Sequence, residues 1–149
     1  MTTVERSLQL PATPERVWAV LTDFGAISEW APNVDHSCLL GEQTEGPGAV
    51  RRIQTGRSTL RETVHTWEPG SELSYSISGL PAVVRSVTNT WRFEPAGTRT
   101  NATLTSDVDA GPRPPQQLVA KIVGRVLAKA SDQMLGGLAV YLKAQEVAS

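Results

Sequence analysis

The sequence predicts an α+β protein, in which an antiparallel sheet of seven strands packs against a long helix near the end of the chain. Seven stretches alternate between apolar and polar residues, which is the two-residue period of a strand. Turns that contain Gly or Pro separate most of them, and short turns between consecutive strands indicate antiparallel hairpins. The stretch 112–147 instead has an apolar residue at every third or fourth position, the period of a helix. Consecutive strands flanked by helices are typical of α+β layering.

The composition is that of an ordinary globular protein. The 149 residues fit a single domain over residues 1–149. The 14 basic and 15 acidic residues give a formal net charge of −1 and are interleaved, which argues against a nucleic-acid partner because phosphate binding requires a basic face. No apolar stretch approaches the length of a membrane span and no signal peptide is recognisable, so we expect a cytoplasmic protein without stable membrane insertion.

One strand and two short helices are predicted at the beginning of the chain. Residues 4–10 alternate as a strand does, and Pro11 ends the strand. Residues 13–15 (TPE) combine a capping side chain, a proline at the first helical position and an acid in the first turn. A short helix with one apolar side should follow. A second short helix is expected at residues 26–30, where Pro32 stops it.

Six further strands are predicted in the middle of the chain. They cover residues 34–40, 49–55, 60–67, 73–78, 84–93 and 99–108. Residues typical of turns lie between them, as in the segments 41–48 and 95–97. The order is therefore one strand, two short helices, six strands and one long helix.

The final helix is predicted to be amphipathic. Its opening at residues 112–115 (PRPP) suits a first turn, because proline presets φ and the first N–H groups have no helical partner. The predicted apolar stripe consists of Leu118, Val119, Ile122, Val123, Val126, Leu127, Ala130, Met134, Leu138 and Tyr141. Charged residues gather on the opposite arc. Gly136 and Gly137 indicate either a bend that follows the sheet or leaves room for a ligand, or close packing against a neighbouring strand.

Four short segments and their order resemble a known superfamily. They are residues 12–18 (ATPERVW), 30–34 (WAPNV), 46–53 (GPGAVRRI) and 61–64 (RETV), and the long final helix completes the pattern. This arrangement resembles the START-like superfamily, which includes Bet v 1-type proteins, START lipid-transfer domains and bacterial polyketide cyclase/dehydrase-like proteins. The resemblance covers nearly the whole chain. It implies the helix-grip fold, in which a curved seven-stranded sheet grips the last helix and an apolar cavity between them offers a small-molecule site.

Strand parity predicts which polar side chains enter that cavity. Glu62 shares the parity of the apolar residues of its strand, and the same reasoning turns Tyr75, Asn89 and Ser106 inward. A carboxylate, a phenol, an amide and a hydroxyl would thus project into an otherwise apolar space.

The strand 49–55 leaves open whether Arg51 or Arg52 faces the cavity, and Arg51 is favoured because it shares the parity of the bulky Ile53. A lone buried charge is costly, so we expect Arg51 to pair with Glu62 on the neighbouring strand. The pair either satisfies itself and fixes the register of the sheet, or it acts on a ligand. In the second case Arg51 and Asn89 orient a carbonyl or carboxylate while Glu62 transfers a proton.

Aromatic and helix residues complete the candidate ligand contacts. Trp30, Trp91 and Tyr141 offer large rigid surfaces, although they would serve equally well as plain core. Met134 and Leu138 lie on the apolar stripe of the final helix and are included as candidates. The loop 79–83 carries apolar residues and is expected to form part of the cavity entrance, together with the short helix that ends at Trp30.

The histidines and the single cysteine give no sign of metal or redox chemistry. His36 shares the parity of Cys38 and is a candidate lining residue, although a lone histidine among apolar neighbours is more often a hydrogen-bonded core residue. His65 is predicted to face solvent. Cys38 has no partner for a disulfide or a zinc site and is expected to be a buried, inert thiol. No metal, nucleotide or other cofactor is expected, because no fingerprint for one occurs.

Two functions follow from these expectations. The first is the binding or transport of a small hydrophobic ligand, such as a lipid, a fatty acid or an aromatic polyketide, by a monomer or homodimer. The alternative is a polyketide cyclase/dehydrase, in which Glu62 and Arg51, with Asn89 and Tyr75, assist enolisation, aldol closure and loss of water.

Overall fold

The computed structural model describes residues 1–148, which form seven strands, two α-helices and a short 3₁₀ helix. In chain order the elements are β1 (Thr2–Leu10), α1 (Pro14–Thr22), the 3₁₀ helix (Phe24–Glu29), β2 (His36–Leu40), β3 (Val50–Thr55), β4 (Ser58–Glu68), β5 (Glu72–Ser78), β6 (Ser86–Ala96), β7 (Arg99–Asp109) and α2 (Pro114–Ala148). All the predicted elements are present, and their ends are shifted by a few residues at most.

The seven strands form one antiparallel sheet in the order β1-β7-β6-β5-β4-β3-β2. Strands β2 to β7 pair in chain order, and the last strand, β7, also pairs with the first strand, β1. The helix α1 and the 3₁₀ helix connect one edge of the sheet to the other, and α2 packs against β1 and β7. The predicted α+β, helix-grip architecture is confirmed.

The start of α1 follows from local chemistry. The Thr13 side chain accepts a hydrogen bond from the Arg16 backbone N–H, and Pro14 occupies the first turn. Val17 and Leu21 form the buried side of this helix. The second short helix is confirmed, but it begins at Phe24 and is a 3₁₀ helix.

The first half of α2 meets the sheet with its small residues. Ala120, Gly124, Ala128 and Ser131 are buried there. A Cβ atom added at Gly124 would lie 3.1 Å from Cγ2 of Thr2, so the helix backbone approaches β1 closely. Small side chains allow the shortest distance between a helix and a sheet, and they therefore decide which side of α2 packs against the sheet.

The predicted inward position of three large residues of α2 is wrong for this reason. Leu118, Ile122 and Val126 are 60%, 52% and 65% exposed. The apolar arc of the helix is wider than its contact with the sheet, and the small residues beside this arc take the buried position. Further along α2 the prediction is correct, since Met134 and Leu138 are buried. Neither α2 nor any other helix of residues 1–148 has an apolar stretch long enough to cross a membrane.

The two glycines in α2 play different parts. A Cβ at Gly137 would overlap the carbonyl oxygen of Trp30 and the ring of Pro32, whereas a Cβ at Gly136 would meet nothing within 4 Å. Gly137 therefore allows close packing, and it does so against the segment after the 3₁₀ helix and not against a strand. Gly136 has no such role.

The side chains of strand β2 face the opposite sides of the sheet from those predicted. His36 and Cys38 are exposed, so neither the cavity position of His36 nor the buried thiol of Cys38 is correct. Ser37 pairs with the buried Ile53 of β3 and thus lies on the inner face. The Ser37 hydroxyl donates to the carbonyl of Gly25 at 2.7 Å, which holds the 3₁₀ helix against this strand. The alternation was misleading because Val34 precedes the strand and does not belong to it.

Candidate ligand-binding site

A cavity of about 460 Å³ lies between the sheet and α2. Its walls come from the segment before β2, from strands β3 to β7, from the β5–β6 loop and from α2. The lining residues are Ile27, Asn33, Val34, Ile53, Thr55, Ser58, Leu60, Glu62, Ile77, Gly79, Leu80, Pro81, Asn89, Ser106, Val126, Leu127, Lys129, Ala130, Ser131, Gln133 and Met134. Aliphatic side chains dominate, and Glu62 is the one carboxylate among the lining residues that the structure describes.

A buried ion pair stands at the wall formed by β3 and β4. Arg51 and Glu62 are directly opposite each other in the register of the two strands and are 2% and 3% exposed. Nε and Nη2 of Arg51 lie 2.7 and 2.6 Å from Oε1 of Glu62. The predicted pair, with Arg51 as the inward arginine, is confirmed.

The remaining sides of the Arg51 guanidinium are also occupied. Nη1 donates to the carbonyl oxygen of Phe24 at 3.1 Å. The guanidinium carbon lies 3.8 Å from the centre of the Phe24 ring and 4.7 Å from the centre of the Tyr75 ring, so aromatic faces cover it. The arginine thus has its charge balanced and its surface covered by the protein itself.

Polar groups of β5, β6 and β7 form a second buried cluster. The Ser106 hydroxyl donates to Oδ1 of Asn89 at 2.6 Å, and the Trp91 indole N–H donates to the Tyr75 hydroxyl at 3.3 Å. Burial raises the pKa of the Tyr75 phenol above its usual value, and the nearby Glu62 carboxylate raises it further. Tyr75 is therefore a neutral phenol at physiological pH.

The structure brings some of the predicted site residues to the cavity and places others elsewhere. Glu62, Asn89, Ser106 and Met134 line the cavity. Five others are buried core neighbours outside the lining set, namely Trp30, Arg51, Tyr75, Trp91 and Leu138. His36 is exposed, and the Tyr141 hydroxyl donates to Glu29 at the surface, 3.4 Å away. A role of any of these residues in ligand binding stays a prediction.

Sequence reasoning missed six polar residues of the cavity lining, and two of them, Asn33 and Ser131, lie outside the strands and have buried groups. Asn33 lies in the turn before β2, and its Oδ1 is buried without a hydrogen-bond partner among residues 1–148. Ser131 lies on the small-residue side of α2. Neither belongs to a strand, so parity could not find them. The alternation of small residues along α2 was the one signal that pointed to Ser131.

The cavity opens between the β5–β6 loop and α2, because its lining residues Gly79, Pro81, Val126 and Lys129 are exposed there. Gly79 has a positive φ of 94°, and a Cβ there would lie 2.9 Å from the carbonyl oxygen of Thr59, so the loop requires glycine at this point. Leu80 and Pro81 follow it along the lining. Residues 79–81 of the predicted entrance loop thus line the cavity, whereas Trp30, at the end of the short helix that was expected to complete the entrance, is buried outside the lining set.

Comparisons with known proteins agree with this architecture. A family model described as "Polyketide cyclase / dehydrase and lipid transport" matches residues 1–143. No curated protein sequence matches the chain.

Three solved structures illustrate the likeness in fold. The Zhui aromatase/cyclase from Streptomyces sp. R1128 has a TM-score of 0.78 at 19% identity, over 95% of this chain and 93% of that one. A protein from Thermobifida fusca, solved by NMR, has a TM-score of 0.77 at 24% identity, over 95% and 93%. A START superfamily protein from Mycobacterium smegmatis has a TM-score of 0.74 at 16% identity, over 96% and 98%.

Proposed function

Because this chain belongs to the polyketide cyclase/dehydrase and lipid transport family, we propose that it binds a small, uncharged hydrophobic molecule in the cavity between the sheet and α2. The observation that carries the proposal is a largely apolar cavity, next to which the buried guanidinium of Arg51 is already neutralised by Glu62. Carriage or presentation of such a molecule is the function that this site supports best.

The size and the walls of the cavity favour an apolar ligand. Its volume of about 460 Å³ falls in the range of roughly 300 to 1,000 Å³ that small-molecule sites occupy. Ile53, Leu60, Ile77 and Met134 contribute aliphatic surface from both the sheet and the helix. A ligand that covers these side chains gains the free energy of removing apolar surface from water.

The charges of the site disfavour an ionised ligand. A carboxylate buried in the cavity would need a buried cation, but the guanidinium of Arg51 is paired with Glu62 at 2.6 Å and covered by two aromatic rings. Lys129 also lines the cavity, but it is exposed, so a carboxylate beside it would remain in contact with water. A carboxylate in the cavity would also lie near the Glu62 carboxylate, which lines it. Burying an uncompensated charge is costly, so a neutral head group is preferred. Among the ligands expected from the sequence, this argues against the fatty acid.

The polar lining groups fit a hydroxyl on the ligand. Glu62 can accept a hydrogen bond through Oε2, since both Arg51 contacts use Oε1. Asn33 has a buried oxygen that has no donor among residues 1–148. A buried acceptor without a partner is costly, and a ligand hydroxyl would supply the missing donor. The preferred ligand is therefore an apolar alcohol or phenol.

Binding of chain-matched ligands tests the proposal. We expect a long-chain alcohol to bind at least tenfold more tightly than the ionised fatty acid of equal length, when both displace a fluorescent apolar probe at neutral pH. The methyl ester of the acid separates the effect of charge from that of the hydroxyl, and its affinity should lie between the two. Leu60→Trp, which fills the cavity, should weaken all three ligands.

Two results would contradict different parts of this proposal. If none of the ligands binds and native mass spectrometry finds only empty protein, the chain is not a carrier of small apolar molecules. If the fatty acid binds most tightly, the cavity is a binding site but the argument from the neutralised arginine is wrong.

A second candidate function is supported by the carboxylate in the cavity. Solved neighbours of this fold include an aromatase/cyclase, and Glu62 together with Asn89 and Ser106 lines a largely apolar cavity here. Glu62 would take a proton from a methylene between two carbonyls, and the resulting enolate carbon would bond to a third carbonyl, whose oxygen would take that proton back from Glu62. The new hydroxyl would then leave with a neighbouring hydrogen as water, which forms a carbon–carbon double bond. Turnover of a synthetic poly-β-keto mimic that Glu62→Gln abolishes would support this function, and equal turnover by the variant would exclude this role for Glu62.

A further inference from the structure

We propose that one surface of α2 docks onto an anionic lipid bilayer, beside the mouth of the cavity. This surface, here named the docking face, consists of Leu118, Lys121, Ile122, Arg125, Val126 and Lys129. The docking is peripheral, and it does not depend on which ligand occupies the cavity.

The apolar part of the docking face is a row of aliphatic side chains. Leu118, Ile122 and Val126 are 60%, 52% and 65% exposed. They are four residues apart, so they follow one another along the same side of the helix. Contiguous exposed apolar surface of this kind marks a site of contact with a partner or a membrane.

The basic part is a second row beside the first. Lys121, Arg125 and Lys129 also recur at every fourth position, and all three are exposed. None of them forms an ion pair with another residue of the described chain. The segment 110–131 contains four basic residues and no acidic one, although the formal net charge of the chain is −1. Aliphatic and basic rows side by side are typical of helices that lie on anionic bilayers.

The docking face continues into the cavity mouth. Val126 and Lys129 are themselves lining residues of the cavity. The β5–β6 loop packs against α2 through Leu80 and Val84, and the next residues along, Val83 and Arg85, are exposed. A bilayer against this face would thus meet the entrance, and an apolar ligand could pass between protein and lipid without crossing water.

Two other occupants fit the docking face less well. A second copy bound through a two-fold axis would bring the same basic row against itself, and like charges repel. A protein partner is usually anchored by Trp or Tyr side chains, and the docking face has neither. A lipid surface needs only apolar depth and negative charge, and the docking face matches both.

Vesicle co-sedimentation tests the proposal on the whole protein without added ligand. We expect binding to vesicles of phosphatidylcholine mixed with phosphatidylglycerol, much weaker binding to pure phosphatidylcholine, and release at high salt. The double variant Lys121→Gln/Arg125→Gln should bind about thirtyfold more weakly, at a contribution of about 1 kcal/mol for each basic residue near an anionic surface. Arg99→Gln/Lys143→Gln has the same net charge and should bind as the wild type does.

A site-specific probe shows which surface touches the lipid. In a Cys38→Ser background, a bimane label on Ile122→Cys should shift to shorter wavelength when mixed vesicles are added. The same label on the natural Cys38 of the wild type should not shift, because Cys38 is exposed on β2, on the face of the sheet that points away from α2. Circular dichroism checks that both labelled proteins are folded.

Several results would overturn the proposal. It fails if the wild type does not bind mixed vesicles, if both double variants weaken binding equally, or if both labels shift alike. It also fails if sedimentation finds a dimer that Ile122→Ser abolishes, which would assign the face to a second copy. Cross-linking from position 122 to an acidic protein, without vesicle binding, would assign it to a protein partner. None of these readouts depends on ligand binding, so they leave the proposed cavity function separately testable.

Discussion

At the scale of single residues, the charges inside the sheet decide what the cavity can hold. Arg51 and Glu62 are opposite each other on β3 and β4, with 2.6 Å between Nη2 and Oε1. The rings of Phe24 and Tyr75 cover the guanidinium, so the pair adds no net charge to the cavity. A buried pair of this kind contributes little net stability, but breaking it is expensive because one charge is left uncompensated.

The first prediction concerns this pair. Arg51→Met should lower the free energy of unfolding by about 3 to 5 kcal/mol, because it leaves Glu62 buried without its cation. The double variant Arg51→Met/Glu62→Met should lose clearly less than Arg51→Met alone. Urea unfolding of the wild type and the three variants of the cycle, including Glu62→Met, measures the coupling.

A surface pair provides the control for this cycle. Arg92 lies 2.9 Å from Glu72 with its side chain 56% exposed. Arg92→Met should therefore change the free energy of unfolding by less than about 1 kcal/mol. Equal losses for Arg51→Met and Arg92→Met would mean that burial of the first pair has no energetic consequence.

The second prediction concerns the phenol of Tyr75. Burial raises the pKa of Tyr75 above 10.0, so the folded protein keeps it neutral when the unfolded chain begins to ionise. The stability that Tyr75 contributes is complete below about pH 10 and is lost as the pH rises through the folded-state pKa. The free energy of unfolding should thus fall more steeply between pH 9 and about 11 in the wild type than in Tyr75→Phe.

Matched measurements separate this effect from other titrations. At neutral pH, Tyr75→Phe should cost about 1 to 3 kcal/mol, because the Trp91 indole N–H loses its acceptor. Desolvation and the nearby Glu29 carboxylate also raise the pKa of Tyr141, but its hydroxyl lies at the surface, so Tyr141→Phe should alter the pH slope less. Parallel curves for the wild type and Tyr75→Phe would show that Tyr75 ionises as freely in the folded state as in the unfolded state.

At the scale of elements, close approaches between backbones set how the helices lie on the sheet. Gly124 brings α2 against β1, and Gly137 brings it against the segment of Trp30 and Pro32. The 3₁₀ helix is held in turn by Ser37, whose hydroxyl also accepts from the Ser28 backbone N–H at 3.0 Å. These contacts fix the walls around the cavity, because they join α2 and the 3₁₀ helix to the sheet and α2 to the segment after the 3₁₀ helix.

The third prediction tests the two glycines of α2 as a matched pair. Gly137→Ala should destabilise the protein by about 2 kcal/mol or more, because its Cβ would overlap Trp30 and Pro32. Gly136→Ala should be neutral or stabilise by up to about 1 kcal/mol, since its Cβ enters open space and alanine favours the helix. Thermal unfolding compares them, and equal effects would contradict the close approach at Gly137.

At the scale of the whole molecule, the two sides of α2 have different roles: one packs on the sheet and the other is exposed. The small side of α2, with Ala128 and Ser131, closes the core and part of the cavity. The large side, with Leu118 and Ile122, remains exposed on the docking face. Loading of the cavity and contact with a lipid surface would then occur at adjacent places, although each can be tested alone.

Periodicity in the sequence by itself determined the seven strands, the long helix and the inward faces of the central strands. Strands β3 to β7 have neighbours on both sides and one apolar face each, so parity correctly predicted that Arg51, Glu62 and Asn89 point inward. The one ambiguous choice was between Arg51 and Arg52. The pairing of Arg51 with Glu62 then followed from the cost of a lone buried charge.

Only the tertiary structure decided the orientation of β2, the buried side of α2 and the polar residues that lie outside strands. An edge strand such as β2 has a neighbouring strand on one side only. The hydrogen bonds of Ser37 to the 3₁₀ helix turn this residue, and not His36, toward the inner face. The apolar arc of α2 is wider than any single contact, so Gly124 and its small neighbours settled the rotation by allowing the closest approach. Local patterns record which residues prefer burial, but the partner surface determines which of them obtain it.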